Sequence, residues 1–186
     1  MNNKFIIVVA GPNGSGKSST IGAVSEVHDV QYICPDNYIH LFNDIESIED
    51  RYDHAMKAAE QDRLTAVEIG DSFAFETVCS NPEKLDFILD ARSKGYRIIV
   101  LYISTEDPEI NIARVRRRVT DGGHDVPDEK VVDRYHRSLK LLPDLLKLAD
   151  EALVYDNSDE NKLPRFFIKI ERGLCFSFRP IPVCKR

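Results

Sequence analysis

The chain has 186 residues and a formal net charge of −6, and its length and ordinary apolar content predict one globular domain over residues 1–186. The acidic charge argues against general electrostatic binding to nucleic acid, and the lack of a long apolar run or a signal-peptide pattern argues against a membrane or secreted protein. Four cysteines without Cys-x-x-Cys spacing favour reduced thiols in a cytoplasmic protein over disulfides or zinc.

Strand-like and helix-like segments alternate along the chain, which predicts a three-layer α/β fold with a mostly parallel sheet and helices on both faces. An apolar strand over Lys4–Ala10 comes first, and a helix from Lys17 to about Val27 follows it. The later segments are predicted as a strand over 31–34, a helix over 47–70, a strand over 73–78, a helix over 82–94, a strand over 97–103, helices over 108–120 and 127–149, and a strand over 152–155. Residues 164–178 are expected to form a hairpin around Gly173.

Two of these helices carry local signals. Ser47, with Asp50 three residues later, resembles a capping box at the start of the helix over 47–70. Its apolar face is expected to consist of Ile48, Tyr52, Ala55, Met56, Ala59, Ala66 and Val67.

Pro143 is expected to kink the helix over 127–149, because proline lacks a backbone donor.

One octapeptide carries the strongest functional signal. Gly11-Pro12-Asn13-Gly14-Ser15-Gly16-Lys17-Ser18 fits Gly-x-x-x-x-Gly-Lys-Ser/Thr, the loop that wraps nucleotide phosphates, and it lies between a predicted strand and a predicted helix. Its glycines permit close backbone approach, and successive N–H groups with the positive end of the next helix attract an anion. We therefore predict nucleotide binding by these eight residues and Ser19, with Lys17 on the β- and γ-phosphates and the Ser18 hydroxyl on Mg²⁺.

Polar residues follow two of the other predicted strands. Asp36 lies just past the strand over 31–34, and Glu76 and Thr77 end the strand over 73–78. Because ligands in open α/β sheets bind outside the carboxyl ends of strands, all three are expected to face the phosphate loop. Asp36 could accept a proton from an attacking hydroxyl or orient Mg²⁺, or it could be a turn residue between Pro35 and Asn37. We expect Glu76 and Thr77 to contact substrate hydroxyls or the water shell of the metal.

Arginines are concentrated in residues 111–137 of this acidic chain. Arg114, Arg117 and Arg118 are predicted to share one side of a helix, and Lys130, Arg134 and Arg137 form a second basic stripe beyond Gly122-Gly123-His124. Two basic helices around a glycine-rich break are typical of a lid that closes over phosphates. The alternative is a solvated surface with local salt bridges. His124 could contact substrate from the loop, and no histidine pair has metal-ligand spacing.

Further motifs narrow the class of phosphate-loop protein. Asn161-Lys162-Leu163-Pro164 does not match the Asn-Lys-x-Asp of guanine-specific GTPases. Other motifs favour a different class of protein. They are the phosphate loop, Pro35-Asp36-x-Tyr38, Glu76-Thr77-Val78, Gly95-Tyr96-Arg97-Ile98, Arg114 to Val119, Gly122-Gly123-His124-x-Val126-Pro127, Arg134-Tyr135-x-Arg137-Ser138 and Tyr155-Asp156-Asn157-Ser158. Taken together, these motifs resemble the zeta-toxin family of phosphate-loop kinases. The resemblance spans about residues 4 to 158, in order, and is closest to the compact branch with the Gly-Gly-His lid.

The resemblance implies ATP-dependent transfer of the γ-phosphate to a hydroxyl of a small molecule, with UDP-N-acetylglucosamine as a candidate acceptor. It implies that Lys17 holds phosphates, Ser18 ligates Mg²⁺, and Asp36 is the general base. Substrate contacts would come from Glu76 and Thr77, with Arg118 and Arg134 as lid arginines. By the same analogy, Arg114 would contact adenine or phosphate, and Asn157 would lie near the nucleoside.

The chain also departs from the toxin members of that family. It is short, its lid sequence differs, and it has no obvious extended segment for binding an antitoxin. These departures weaken the expectation of a sugar-nucleotide substrate and of toxicity more than the expectation of kinase chemistry. Three alternatives to a small-molecule kinase stay open. They are a nucleotide-dependent switch with slow hydrolysis, an RNA- or polynucleotide-end kinase, and an inactive domain that binds a protein.

Overall fold

A computed structural model describes residues 4–121, 123, 125–171 and 173–177. The strands are β1 (Phe5–Ala10), β2 (Gln31–Ile33), β3 (Phe73–Thr77), β4 (Arg97–Ser104), β5 (Glu151–Asp156), β6 (Arg165–Glu171) and β7 (Leu174–Ser177). The helices are α1 (Lys17–His28), α2 (Ile48–Ile69), α3 (Glu83–Ser93), α4 (Pro108–Thr120) and α5 (Asp128–Leu148). Two short 3₁₀ turns, Pro35–Asn37 and Ile39–Phe42, which the sequence did not predict, connect β2 to α2.

The seven strands form one sheet in the order β2-β3-β1-β4-β5-β6-β7. The first five strands pair in parallel, and β6 and β7 extend the sheet in antiparallel fashion. The predicted mostly parallel α/β fold is therefore confirmed. β6 and β7 form a hairpin around Gly173, whose φ of +76° lies in the left-handed region that favours glycine.

Helices cover both faces of the sheet because the central strands are apolar on both sides. On one face, Ile6, Val8 and Phe75 pack with buried residues of α2, α3 and α5. On the other face, Ile7 and Val9 pack with Ile21 of α1. A smaller apolar cluster of Ile112, Val115, Val126 and Val131 joins α4 to α5. None of the described helices is long and apolar enough to span a bilayer.

The predicted apolar face of α2 is partly wrong. Ala55, Ala59, Ala66 and Val67 are buried, but Ile48 is 63% and Met56 51% exposed. Met56 is the neighbour of Ala55 and so points about 100° around the helix from the buried line, as 3.6 residues per turn requires. Ile48 is the first residue of the helix. The side chains that pack on the sheet are thus mainly alanines, which bring the helix close to it.

The starts of α2 and α3 have side-chain caps, and the cap of α2 is the predicted one. The Ser47 hydroxyl accepts from the Asp50 N–H, and Gly70 ends α2 with a φ of +87°. Asn81 accepts from the Glu83 N–H at the start of α3. The helix α5 continues through Pro143 as one element from Asp128 to Leu148.

The buried Tyr96 hydroxyl ties the end of α2 to the sheet, and this contact generates a stability prediction. It lies 2.9 Å from both the Ala66 and the Asp71 carbonyl oxygens. Tyr96→Phe leaves these buried acceptors without the hydroxyl, so we expect the free energy of unfolding to fall by about 1–2 kcal/mol in urea denaturation. The control is Tyr155→Phe, whose hydroxyl bonds to none of the described residues. Equal stability losses in the two variants would contradict the assignment.

Candidate functional site

The phosphate-loop sequence forms a tight turn between β1 and α1 that only glycine fits at Gly11, Gly14 and Gly16. At Gly11, with φ +145°, a Cβ would lie 1.9 Å from the Ile103 carbonyl oxygen. At Gly16, with φ +97°, a Cβ would lie 2.4 Å from the Asn157 side-chain nitrogen. The loop backbone therefore lies directly against β4 and the segment after β5, and α1 begins at Lys17 with the first-turn amides that a helix leaves unpaired.

Two asparagines hold the loop from opposite sides. The Asn157 amide donates to the Ser15 carbonyl at 2.8 Å, and the buried Asn111 amide of α4 donates to the Asn13 carbonyl. The Thr105 hydroxyl in turn donates to the Asn111 side-chain oxygen. The loop is thus fixed before any ligand arrives, which is the preorganisation that anion binding by backbone amides requires.

Several polar atoms around this loop are buried and have no hydrogen-bond partner among the described residues. They are Asn13 Oδ1, Ser15 Oγ and Arg114 Nη1. Burying an unsatisfied polar group costs about 1–3 kcal/mol, so such groups are rare except where a ligand or water completes them.

Lys17 is almost fully buried at the base of the loop. Its side chain is 7% exposed, and its ammonium donates to the Pro12 carbonyl at 2.8 Å. Burial lowers the pKa of Lys17 to about 8, the carboxylate of Glu76 partly offsets this, and the charge of Arg118 lowers the pKa further. Without a bound anion, the site therefore holds a cation that is poorly compensated.

Ser18 and Glu76 lie together. The Ser18 hydroxyl donates to Glu76 Oε2 at 3.0 Å. A hydroxyl and a carboxylate oxygen at the mouth of a phosphate loop are the hard donors that Mg²⁺ takes alongside phosphate oxygens and water, so this pair fits the ion. Across the described part of the chain, there is no group of three or more His, Cys, Asp and Glu side chains that could hold a metal without such help.

Asp36 lies in the 3₁₀ turn after β2, on the same edge of the sheet as the phosphate loop. Its side chain is exposed, and its Oδ1 accepts from the Tyr52 hydroxyl of α2. The turn is fixed by Asn37, whose amide donates to the Tyr32 carbonyl at 2.6 Å. The carboxylate is thus accessible to an acceptor molecule and held by the scaffold.

Thr77 is engaged locally. Its carbonyl accepts from the Gly11 N–H at 3.2 Å, and its hydroxyl accepts from the Cys79 N–H at 3.0 Å. The structure therefore places Thr77 as a support for the first residue of the phosphate loop. Direct contact of its hydroxyl with a substrate stays a prediction.

The arginines of α4 divide into two groups. Arg114 Nε and Arg117 Nη1 contact the two oxygens of Glu160, at 3.0 and 3.1 Å. Arg114 is only 12% exposed and is one turn beyond Asn111, whereas Arg117 is 67% exposed. Glu160 therefore ties α4 to the segment after β5. These are the two elements from which Asn111 and Asn157 hold the phosphate loop.

The other predicted lid residues have different surroundings. Arg118 lies near Lys17 and Tyr52, since its charge lowers the pKa of both. Arg134 lies one turn before Ser138, whose hydroxyl donates to the Val78 carbonyl just beyond β3. Other basic residues of 111–137 make local ion pairs, Arg116 with Asp128 and Arg137 with Asp133, as the alternative interpretation expected. Gly122 and His124 lie outside the described residues, so the predicted contact of His124 is not tested.

Sequence reasoning missed four residues that shape this site. Asn111, Tyr52 and Glu160 have no motif that marks them, and Tyr52 was assigned to the apolar face of α2. Tyr135 was noted only as part of a motif, but its hydroxyl donates to the Thr105 carbonyl at 2.7 Å and anchors α5 at the end of β4. The sequence contains only a weak signal for one of these residues. Asn111 is an asparagine in the first turns of a helix, and that helix lies near the glycine-rich loop.

Comparison with known proteins places this geometry in context. The zeta toxin family model matches residues 2–165. A search of curated proteins gives no match. Among solved structures, the AvrRxo1-ORF1:ORF2 complex aligns with a TM-score of 0.73 at 13% identity, covering 95% of this chain and 61% of that chain. This chain thus spans about three-fifths of that protein.

Two further structures share the fold. The PezAT chromosomal toxin–antitoxin system of Streptococcus pneumoniae aligns with a TM-score of 0.62 at 16% identity, covering 88% of this chain and 71% of that chain. Deoxyadenosine kinase from M. mycoides aligns with a TM-score of 0.54 at 14% identity, covering 84% and 94%. At these identities the likeness establishes the fold alone. The family match covers most of the chain and carries the assignment: the protein belongs to the zeta toxin family.

Proposed function

We propose that this chain is a nucleotide-dependent kinase that transfers the γ-phosphate of ATP to a hydroxyl of a small molecule. The observation that carries the proposal is the convergence, at one edge of the sheet, of the phosphate loop with Lys17, the Ser18–Glu76 pair and the exposed carboxylate of Asp36. Family membership supports it, as do kinase-fold neighbours that include the AvrRxo1 complex solved with ATP and deoxyadenosine kinase with bound dATP.

Lys17 supplies charge to the triphosphate in this proposal. Its ammonium exchanges the Pro12 carbonyl for phosphate oxygens, and the amides of the loop and of the first turn of α1 surround the same group. A phosphate is an acceptor available to the unpaired Ser15 hydroxyl. Arg118, next to Lys17, adds positive charge at the transferred phosphoryl group, and we assign the same task to Arg134.

Mg²⁺ fits at Ser18 and Glu76, and when bound it would neutralise charge on the phosphate oxygens. Asp36 orients the acceptor hydroxyl and takes its proton as the oxygen attacks phosphorus. Arg114, held by Glu160, is assigned to the nucleotide at the outer side of the loop, and Asn157 holds the loop itself. Phosphoryl transfer needs mainly such positioning and charge stabilisation.

The acceptor is assigned by chemical class. UDP-N-acetylglucosamine is the first candidate, because the motifs resemble those of kinases that act on it. The PezAT neighbour is a toxin–antitoxin system, and this extends the proposal to a protein antitoxin as partner.

The first prediction from this proposal concerns the role of Lys17 in phosphate transfer. With radiolabelled γ-phosphate on ATP and a panel of sugar nucleotides and other alcohols, the native chain should label an acceptor, and Lys17→Ala should lower the rate by roughly 10²–10³-fold or more, since a stabilising charge is lost. Lys94→Ala, which removes an exposed lysine at the end of α3, is the control. Phosphate release to water at one rate with or without acceptors would indicate a switch and contradict the proposal.

The second prediction separates binding from chemistry at Asp36. Asp36→Asn should bind ATP as the native chain does in calorimetry, because the described hydrogen bond of the Asp36 carboxylate is to Tyr52 and not to the phosphate loop. Its kcat should fall by roughly 10²–10⁴-fold, the usual contribution of a general base. Loss of ATP binding in this variant would instead assign Asp36 to the metal or to the structure.

The third prediction uses the pKa of Lys17. Between a pKa of about 8 in the folded chain and 10.5 in the unfolded chain, the unfolded state alone keeps the proton, so the free energy of unfolding rises with pH. From about pH 7.5 to about pH 9.5 this rise should be roughly 2 kcal/mol larger in the native chain than in Lys17→Met, measured by urea denaturation. Parallel pH dependences would show that the Lys17 ammonium is not buried in the absence of nucleotide.

A further inference from the structure

Asp36 is one of two carboxylates that join the 3₁₀ turns to α2, and each is met by a tyrosine. The Tyr52 hydroxyl of α2 donates to Asp36 Oδ1 at 2.5 Å. In the reverse direction, the Tyr38 hydroxyl from the segment after β2 donates to Asp62 of α2. Only the first bond involves Asp36, the carboxylate that the proposed function assigns as general base.

The scaffold fixes where the Tyr52 hydroxyl can reach. The Ser47 hydroxyl caps α2, and Arg51 donates to the Ile45 and Asn43 carbonyls, which ties the first turns of α2 to the connection before it. Tyr52 follows Arg51 and is half-buried, so little freedom remains for its ring. Among the described residues, no other side chain hydrogen-bonds to Asp36.

We propose that Tyr52 is a positioning residue for Asp36, which fixes the carboxylate through Oδ1 and leaves Oδ2 for the hydroxyl of the phosphate acceptor. The proposal rests on the proposed kinase function. The acceptor O–H bond breaks, its proton passes to Asp36 Oδ2, the oxygen bonds to phosphorus, and the bond from phosphorus to the departing ADP breaks. Tyr52 keeps its own proton throughout.

The environment supports this division of roles. Burial raises the pKa of Tyr52, and the hydrogen bond to Asp36 and its negative charge raise it further. The phenol therefore stays a donor at every pH at which the enzyme would work. A donor to a carboxylate favours the charged form, which is the form a general base needs.

Within the described part of the chain, two other elements bring charged or titratable groups close to this pair. Arg118 of α4 is near enough to Tyr52 to lower its pKa, and Cys34, at the end of β2, acts in the opposite direction. Burial raises the pKa of the Cys34 thiol, so it carries no charge near neutral pH. Neither group changes when Tyr52 is replaced, so the comparison isolates the phenol.

The test compares Tyr52→Phe with Tyr38→Phe in the full chain. Both variants lose one tyrosine–aspartate bond between the same two segments, and only the first loses the bond to Asp36. The assay measures kcat against pH with radiolabelled γ-phosphate on ATP, using the acceptor that takes the label from the native chain. ATP affinity by calorimetry is the second readout.

In Tyr52→Phe, the acid limb of the kcat profile should move to higher pH, because the hydrogen bond that favours the charged carboxylate is lost. ATP affinity should stay at the native value. The Tyr38→Phe profile should overlay that of the native chain. This result would show that Tyr52 positions the Asp36 carboxylate and does not merely anchor α2.

Two results would overturn the inference while the kinase proposal stands. They are a Tyr52→Phe profile that overlays the native one, and equal shifts in both variants, which would indicate a structural role for these contacts. Absence of label transfer by the native chain to every acceptor would refute the kinase proposal and the role of Tyr52 together.

Discussion

The ammonium of Lys17 is buried away from water, and it donates a hydrogen bond to the Pro12 carbonyl. Desolvation of an ammonium is costly, and the lowered pKa of Lys17 expresses that cost. The rest of the site can be understood from this constraint, because a bound triphosphate supplies the compensating charge. The site therefore favours polyanions at the point where three strand ends meet.

The surroundings keep this cation in place by holding the loop around it. Asn111 and Asn157 bind the loop backbone from α4 and from the segment after β5, and Glu160 joins those two elements through Arg114. Each of these contacts bridges residues far apart in sequence. The side that we propose for the nucleotide is held by these long-range contacts, whereas the side that we propose for the acceptor consists of short 3₁₀ turns and the first turns of α2.

The sequence was sufficient for the mostly parallel sheet, for the succession of strands and helices along the chain and for the position of the phosphate loop between β1 and α1. The phosphate loop needs its glycines for reasons that act within a few residues, and Glu76 was identifiable as a charge at the end of an apolar strand. Asn111, Tyr52 and Glu160 were not, because their roles come from contacts across the fold. Tyr52 is an example. Helical spacing predicted that it lies on the apolar face of α2, whereas its hydroxyl bonds to Asp36, which lies in the 3₁₀ turn after β2.

The most direct measurement is a crystal structure with Mg²⁺ and a non-hydrolysable ATP analogue. The account predicts the β- and γ-phosphates inside the loop, the Lys17 ammonium moved from the Pro12 carbonyl to phosphate oxygens, and the Ser18 hydroxyl turned from Glu76 towards the ion. Asp36 should face the terminal phosphate with Tyr52 still bound to it. A loop without phosphate, with Lys17 still on Pro12, would contradict the central claim.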